Sequence, residues 1–281
     1  MKIGIIGLGL MGGSLGKTLN KMGLHTVYGY DISDIVMLKA EMVGAINGVL
    51  DETTCKDIDM LIVSIYPSKF LSAVSRFLPL LKDGAIVMDF CGIKRNLVNQ
   101  MQQLANQYKN LIFIGGHPMA GREFSGIERS VSTLFEKASM ILCNVNADIF
   151  SLDMVKSFYL SLGFSEVVIT TPEYHDKAIA YTSQLCHIVS NAFIKNEIAS
   201  EHFGYSAGSY KDLTRVARLN PQMWAELMIE NKDNLSCQLS ELITNLQKYE
   251  TALKQGNKAE LKSLLAEGNE RKLLIDTGNK K

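Results

Sequence analysis

Lys2-Ile3-Gly4-Ile5-Ile6-Gly7-Leu8-Gly9-Leu10-Met11-Gly12-Gly13-Ser14-Leu15 decides how the rest of the chain is read. Lys2 to Ile6 has the length and apolarity of a buried strand, and Leu15, Thr18, Leu19 and Met22 then recur at helical spacing. Between strand and helix stand Gly7, Gly9 and Gly12 in the order G-x-G-x-x-G. In such a turn the first glycine makes the tight bend, the second lets backbone approach a pyrophosphate, and the third lets helix and strand pack closely. The run from Lys2 to Lys17 is uncharged, but its six glycines, its length and the lack of an A-x-A site set it apart from a membrane span or a cleaved leader.

Working outward, His25 to Tyr30 reads as a second strand ending at Asp31, 24 positions after Gly7. That is where an acidic residue accepts hydrogen bonds from an adenosine ribose and repels a 2′-phosphate, so NAD is favoured over NADP. Gly7, Leu8, Gly9, Leu10, Met11, Gly12 and Asp31 are therefore expected to bind the cofactor. Further strands are expected at Met60 to Ile65, Ala85 to Asp89, Leu111 to Ile114, Met140 to Val145 and Val167 to Ile169, separated by helices. Alternation of this kind predicts an α/β fold, a Rossmann-type doubly wound parallel sheet.

Beyond Thr170-Thr171-Pro172 the pattern changes. Thr171 and Pro172 suit a helix start, no breaker follows until about Gly204, and Asn220-Pro221 opens a second long helix. Leu235, Leu239, Leu242, Leu246 and Leu253 form a heptad-like stripe, which serves either a core or a subunit interface. Asn257 with Glu260 resembles a capping box. The expected division is 1–171, a dinucleotide-binding domain, and 172–281, an all-helical domain.

Composition narrows the class. The 281 residues hold 29 Lys+Arg and 29 Asp+Glu, with both signs balanced on either side of Thr171, so neither nucleic acid nor an anionic membrane is an expected partner. Five widely spaced cysteines without a CxxC pair suggest neither a disulfide framework nor a structural zinc site. A cytoplasmic location fits, and no metal is expected.

Three further segments bear chemistry. Gly115-Gly116-His117-Pro118-Met119-Ala120-Gly121 follows a strand of the expected sheet, so His117 is placed beyond a carboxyl end, where a nicotinamide lies in such folds. An imidazole there accepts a proton from an alcohol as its carbon loses hydride. Asp176, Ala180, Ser183 and His187 follow at spacings of 4, 3 and 4 on one helix face, either a solvated stripe or a half-buried polar site. Arg215 offers a fork for a carboxylate and Trp224 an apolar wall; the alternative for Arg215 is a surface pair with Asp212 or Glu226.

With the glycine turn, the His-Pro-Met-Ala-Gly loop, His175-Asp176…Ser183-Gln184-Leu185-Cys186-His187, and Asp212-Leu213-Thr214-Arg215-Val216-Ala217 before Asn220-Pro221-x-x-Trp224, residues 1 to about 235 resemble the prephenate and arogenate dehydrogenases of tyrosine biosynthesis. The resemblance implies NAD-dependent oxidative decarboxylation of prephenate to 4-hydroxyphenylpyruvate, with arogenate as the alternative substrate, and a homodimer formed through the helical domain. It implies that His117 polarises the ring hydroxyl, that Arg215 holds a substrate carboxylate and that His187 and Ser183 contribute to substrate binding. It further implies Gly208 and Trp224 as substrate residues supplied across the dimer, and Tyr66 and Gly92 beside the cofactor.

Departures from the family pattern also stand out. Gly92 occupies a position where many relatives have Ser, Gln184 and Cys186 stand for His and Pro, and Arg122 replaces a smaller polar residue and is expected to add an anion contact. With the chain ending at Lys281, an appended regulatory domain of the ferredoxin-like type is not expected. Two rivals are a 3-hydroxyacid dehydrogenase or imine reductase, for which Lys177 and Lys195 are the candidate lysines, and a non-catalytic NAD sensor, which needs neither His117 nor Arg215.

Overall fold

A computed structural model describes residues 1–122 and 124–278; the end of the expected helical segment, up to Lys281, lies outside them. One sheet is built from β1 (Lys2–Ile6), β2 (Thr26–Tyr30), β3 (Gly48–Val49), β4 (Met60–Val63), β5 (Ile86–Asp89), β6 (Ile112–Pro118), β7 (Ser139–Asn144) and β8 (Glu166–Thr170). Its order is β3-β2-β1-β4-β5-β6-β7-β8. The chain moves outward from β1 to β3, then returns to lay β4 on the other side of β1, parallel to it. Strand order thus reverses between β1 and β4, and a ligand crevice lies beyond their carboxyl ends.

Apolar residues on both faces of the central strands explain why helices cover both. Ile3, Ile5, Met60 and Ile62 belong to one core, with Leu15 and Leu19 of α1 (Leu10–Met22). Leu61, Val63 and Val87 point the other way, into a second core. That core contains Phe70 and Val74 of α3 (Phe70–Val74) and Leu97 and Met101 of α4 (Arg95–Gln107). The short α2 (Asp34–Met42) follows β2, and α5 (Ile149–Ser161) returns Leu152 and Val155 to the first core.

Two expectations for the sheet need correcting. The β6–β7 pair is antiparallel while the other pairs are parallel, so the sheet is mostly parallel. Strand β6 also runs through Gly115, Gly116 and His117, which the sequence reading assigns to a loop. The two glycines do not break it, because β7 pairs along them and a Cβ at Gly116 would lie 2.6 Å from the Asp89 carbonyl oxygen. Their missing side chains permit close backbone approach.

After β8 the chain is helical: α6 (Pro172–Ile179), a π-helical turn at Ala180–Leu185, α7 (Cys186–Phe193), α8 (Gly208–Thr214), α9 (Pro221–Glu230), α10 (Lys232–Lys254) and α11 (Lys258–Gly278). Thr171 and Asn220 cap α6 and α9, accepting from the amides of Tyr174 and Met223. The first long helix ends at Phe193, before Gly204, and Asn196 caps the 3-10 turn Glu197–Glu201. The helix opened by Asn220-Pro221 is interrupted at Asn231, whose side chain is fully buried and hydrogen-bonded.

Two compact units result, Met1–Asn231 and the remainder from Lys232. In the second, α10 and α11 form a hairpin in which Asn257 Oδ1 accepts from the Glu260 amide at 3.0 Å, the capping bond expected there. Along its leucine stripe Leu235 is buried, whereas Leu246 and Leu253 are exposed.

Candidate active site

The glycine turn forms a cradle whose parts can be checked one by one. Gly7 has φ +87°, and a Cβ there would meet the Ser64 carbonyl oxygen at 2.4 Å. At Gly12 a Cβ would lie 1.9 Å from the Gly7 carbonyl oxygen, whereas at Gly9 nothing stands within 4 Å. Gly7 and Gly12 are therefore required by the turn itself, and Gly9 opens onto free space at the N-terminus of α1. Leu8 is fully buried, while Leu10 and Met11 in the first turn of α1 are partly exposed. Asp31, at the end of β2, accepts from the Leu8 amide at 2.9 Å through Oδ2 and from the Ser33 amide at 3.0 Å through Oδ1. A carboxylate offers about four acceptor sites, so these bonds orient it and leave capacity for a diol. The cradle fits a dinucleotide. Tyr66, 40% exposed, stands just beyond β4, at the same end of the sheet.

A second group surrounds His117. Its Nδ1 lies 2.8 Å from His175 Nε2, and His175 Nδ1 lies 2.7 Å from Asp176 Oδ1. Asp176 also accepts from the amides of Lys94 at 2.8 Å and Arg95 at 3.0 Å, and from Arg95 Nε at 3.2 Å. Burial alone would raise the Asp176 carboxyl; the bonds from His175 and the two amides outweigh it and hold the group below its usual value. His117 is driven well below the ordinary imidazole value by burial, then by His175 and by the Lys94 charge. Burial lowers His175 too, with the Asp176 hydrogen bond opposing it. Both rings are thus neutral near pH 7.

Gly92 stands beside the outer edge of His117, since a Cβ at residue 92 would lie 3.9 Å from His117 Nε2 and 3.6 Å from Leu227 Cδ1. Behind the rings, Lys94 and Asp89 form an ion pair with both side chains fully buried. Asp89 also accepts from the amides of Cys91 at 2.7 Å and Gly116 at 3.0 Å, tying the loop after β5 to β6 at His117.

A third group lies one turn away along α9. The His187 and Trp224 ring centroids are 4.0 Å apart within the one chain, whereas the resemblance implies a Trp224 supplied by the second subunit, and His187 Nδ1 donates to the Val216 carbonyl at 3.1 Å. The residue after Arg215 is thereby bound to His187, while the Arg215 side chain is exposed. Trp224 and Leu227, three residues apart, share a face of α9, on which Trp224 meets His187 and Leu227 lies by Gly92. Glu226 accepts from the Ser68 amide at 3.1 Å. Glu230 in the last turn of α9 is raised by burial and then by the carboxylates of Glu226 and Asp176.

Not every expected residue joins these groups. Ser183 is partly buried, Arg122 is exposed, and Gly208, at the start of α8, has nothing within 4 Å of its Cβ position. The one-face pattern from Asp176 to His187 is broken by the wide turn at Ala180–Leu185, so Asp176 meets His175 while His187 meets Trp224. π turns recur where a helix must re-aim side chains at a functional site. The sequence reading missed His175 as a partner of His117, and with it Asp89, Lys94 and Leu227; the one available signal was the adjacent His175-Asp176 pair. Among the described residues no group of three or more His, Cys, Asp or Glu side chains is placed to hold a metal ion, and no helix is long and apolar enough to cross a membrane.

The same segments match known proteins. The family model for "Prephenate dehydrogenase, nucleotide-binding domain" matches residues 15–170, and that for "Prephenate dehydrogenase, dimerization domain" matches residues 171–267. The cyclohexadienyl dehydrogenase of Zymomonas mobilis is 28% identical over 262 residues, covering 89% of this chain and 88% of its own. Among solved structures, prephenate dehydrogenase from Aquifex aeolicus in complex with hydroxyphenyl propionate and NAD+ superposes with a TM-score of 0.83 at 29% identity, covering 98% of each chain. Synechocystis arogenate dehydrogenase superposes with a TM-score of 0.79 at 27% identity, over 97% of this chain and 99% of its own.

Proposed function

Because the chain belongs to the prephenate dehydrogenase family, we propose that it oxidises prephenate to 4-hydroxyphenylpyruvate with NAD⁺, releasing CO₂. The observation that carries this reading is a neutral imidazole, His117, on the strand next but one to β4, beyond a glycine cradle that ends in an oriented Asp31 carboxylate. Bound NAD⁺ supplies the hydride acceptor. Loss of hydride from the carbinol carbon and of the ring carboxylate as CO₂ makes an aromatic ring, so the protein's task is mainly orientation and charge placement. Neutral His117 accepts the hydroxyl proton as the carbonyl develops and returns it to the phenolate oxygen on aromatisation. Arg215 holds a substrate carboxylate, with His187 and Trp224 forming the adjoining wall and Ser183 and Arg122 at its rim. Gly7 to Gly12, Asp31, Tyr66 and Gly92 hold the cofactor.

In this reading residues 1–171 bind the nucleotide, and residues 172–281 bind substrate and form a homodimer to which Gly208 contributes across the interface. Exposed Leu246 and Leu253 suit such a contact. A reducing cytoplasm fits five free cysteines. Likeness to Synechocystis arogenate dehydrogenase supports arogenate as a second reading. The two share the ring chemistry and differ in a keto or amino group on the side chain. Comparing kcat/KM for the two compounds decides between them: prephenate is expected to be preferred, and a preference for arogenate overturns that choice.

Two variants probe the binding groups. A 2′-phosphate against the Asp31 carboxylate is repelled and loses a ribose hydrogen bond, a cost of about 1–3 kcal/mol or roughly ten- to a hundredfold in kcat/KM. Asp31→Ser is expected to narrow that preference for NAD⁺, and equal kcat/KM for both cofactors in the unmodified protein contradicts the assignment. Arg215→Ala is expected to raise KM by the equivalent of about 2–4 kcal/mol, as when a desolvated charge loses its partner. Its exposed position implies little change in Tm. A KM within twofold of the parent removes Arg215 from the substrate site.

A further inference from the structure

We propose that His175 and Asp176 are positioning residues that fix His117 in the tautomer carrying hydrogen on Nδ1, and that the proton taken up at His117 Nε2 is matched by a shift of the Nδ1 proton onto His175.

The tautomer follows from counting donors along the chain of contacts. Asp176 accepts from the amides of Lys94 and Arg95, and an ionised carboxylate has no hydrogen to give. At 2.7 Å from Asp176 Oδ1, His175 Nδ1 must therefore carry the hydrogen. In a neutral ring this leaves His175 Nε2 as a lone pair, so His117 Nδ1, 2.8 Å away, must donate to it. His117 in turn is left with a lone pair on Nε2, the atom that lies 3.9 Å from the Cβ position of Gly92. The carboxylate thus selects, through one intervening ring, which atom of His117 is basic.

The second half of the proposal concerns where positive charge rests and builds on the dehydrogenase reading. Among the described residues, the charged and titratable groups acting on the pair are Asp176 with its partner Arg95, the buried Lys94–Asp89 pair, and Glu230, which interacts with Asp176 and Lys94. Burial and Lys94 disfavour charge on both rings, but among the described residues only His175 of the two has a carboxylate hydrogen bond to oppose them. As the substrate O–H bond breaks, an N–H bond forms at His117 Nε2, the Nδ1 hydrogen of His117 passes to His175 Nε2, and His175 becomes an imidazolium against Asp176. The electron pair of the carbinol C–H bond leaves as hydride to the oxidised nicotinamide, and the pair of the carboxylate bond enters the ring as CO₂ departs. When the phenolate oxygen takes its proton back, both rings return to the starting tautomer, so no net proton is released. A single buried imidazole would have to hold the charge without a counter-ion.

The test is long-range nitrogen–proton NMR on the NAD⁺-loaded protein labelled with ¹⁵N at histidine, with kinetics alongside. Both His117 and His175 are expected to be neutral and protonated at Nδ1 near pH 7; His117 protonated at Nε2 overturns the proposal whatever the substrate proves to be. His175→Leu removes the acceptor and is expected to give a mixed His117 tautomer. It should also cost roughly 10- to 10²-fold in kcat at nearly constant KM, and move the acid limb of the pH profile. His175→Gln, which keeps a carbonyl acceptor, should recover part of kcat. A loss confined to KM, or a His117 tautomer unchanged in the Leu variant, overturns the positioning role. Failure to oxidise any cyclohexadienol while the NMR result holds would instead refute the dehydrogenase reading and leave the tautomer assignment standing.

Discussion

Replacing His117 by Asn is expected to lower kcat by roughly 10²- to 10⁴-fold while cofactor affinity changes little. Asn keeps a polar group near the ring hydroxyl but cannot accept its proton at neutral pH, so the lost interaction belongs to the hydride step and not to the ground state. The pH profile gives a second reading. A neutral acceptor is needed, and His117 lies well below the usual imidazole value of 6.5. The parent profile should therefore stay flat as pH falls through 6.5 and drop only below it, and that limb should vanish in the variant. An acid limb centred at 6.5 or above contradicts the burial argument; an unchanged kcat removes His117 from the chemistry. The same shift bears on folding. The unfolded chain binds protons at these histidines before the folded chain does, so their contribution to stability is present above 6.5 and is lost as pH falls from there toward the folded values.

Lys94→Met is expected to cost about 3–5 kcal/mol of folding stability, the largest thermodynamic effect anticipated in this chain. Both partners of the Lys94–Asp89 pair are fully buried, so removing the ammonium strands a carboxylate in an apolar interior. Asp89 keeps its bonds from the amides of Cys91 and Gly116, which soften the loss without neutralising the charge. The check is a urea unfolding midpoint. Adding Asp89→Leu to Lys94→Met should recover part of the loss, because two buried charges cost desolvation that two apolar groups do not. A change under about 1 kcal/mol in the single variant, the scale of an exposed pair, would show that water reaches this pair in solution.

Much of this was legible in the sequence wherever local chemistry and tertiary need coincide. The glycine turn is one such place, since Gly7 takes a positive φ and a Cβ at Gly12 would collide with the Gly7 carbonyl only five residues back. The caps at Thr171, Asn220 and Asn257 are another, because an Asx or Thr side chain reaches its own helix regardless of what surrounds it. The antiparallel β7 was hidden because strand direction leaves no trace in an apolar run. Continuation of β6 through Gly115 and Gly116 was hidden because their requirement comes from Asp89 and Met140, far off in the chain. The π turn at Ala180–Leu185 escaped periodicity analysis, which assumes 3.6 residues per turn, and with it the separation of Asp176 from His187. His175 was likewise invisible as a partner of His117, 58 residues away in the chain, because only the docking of α6 beside β6 brings the rings together.

The most direct test of the central claim is to incubate the purified chain with NAD⁺ and prephenate, and to measure reduced cofactor by absorbance and CO₂ by trapping in the same reaction. The account predicts one reduced cofactor and one CO₂ per 4-hydroxyphenylpyruvate formed, in a reaction abolished to the stated extent by His117→Asn. Cofactor reduction without CO₂, or no reduction with either prephenate or arogenate, would contradict it.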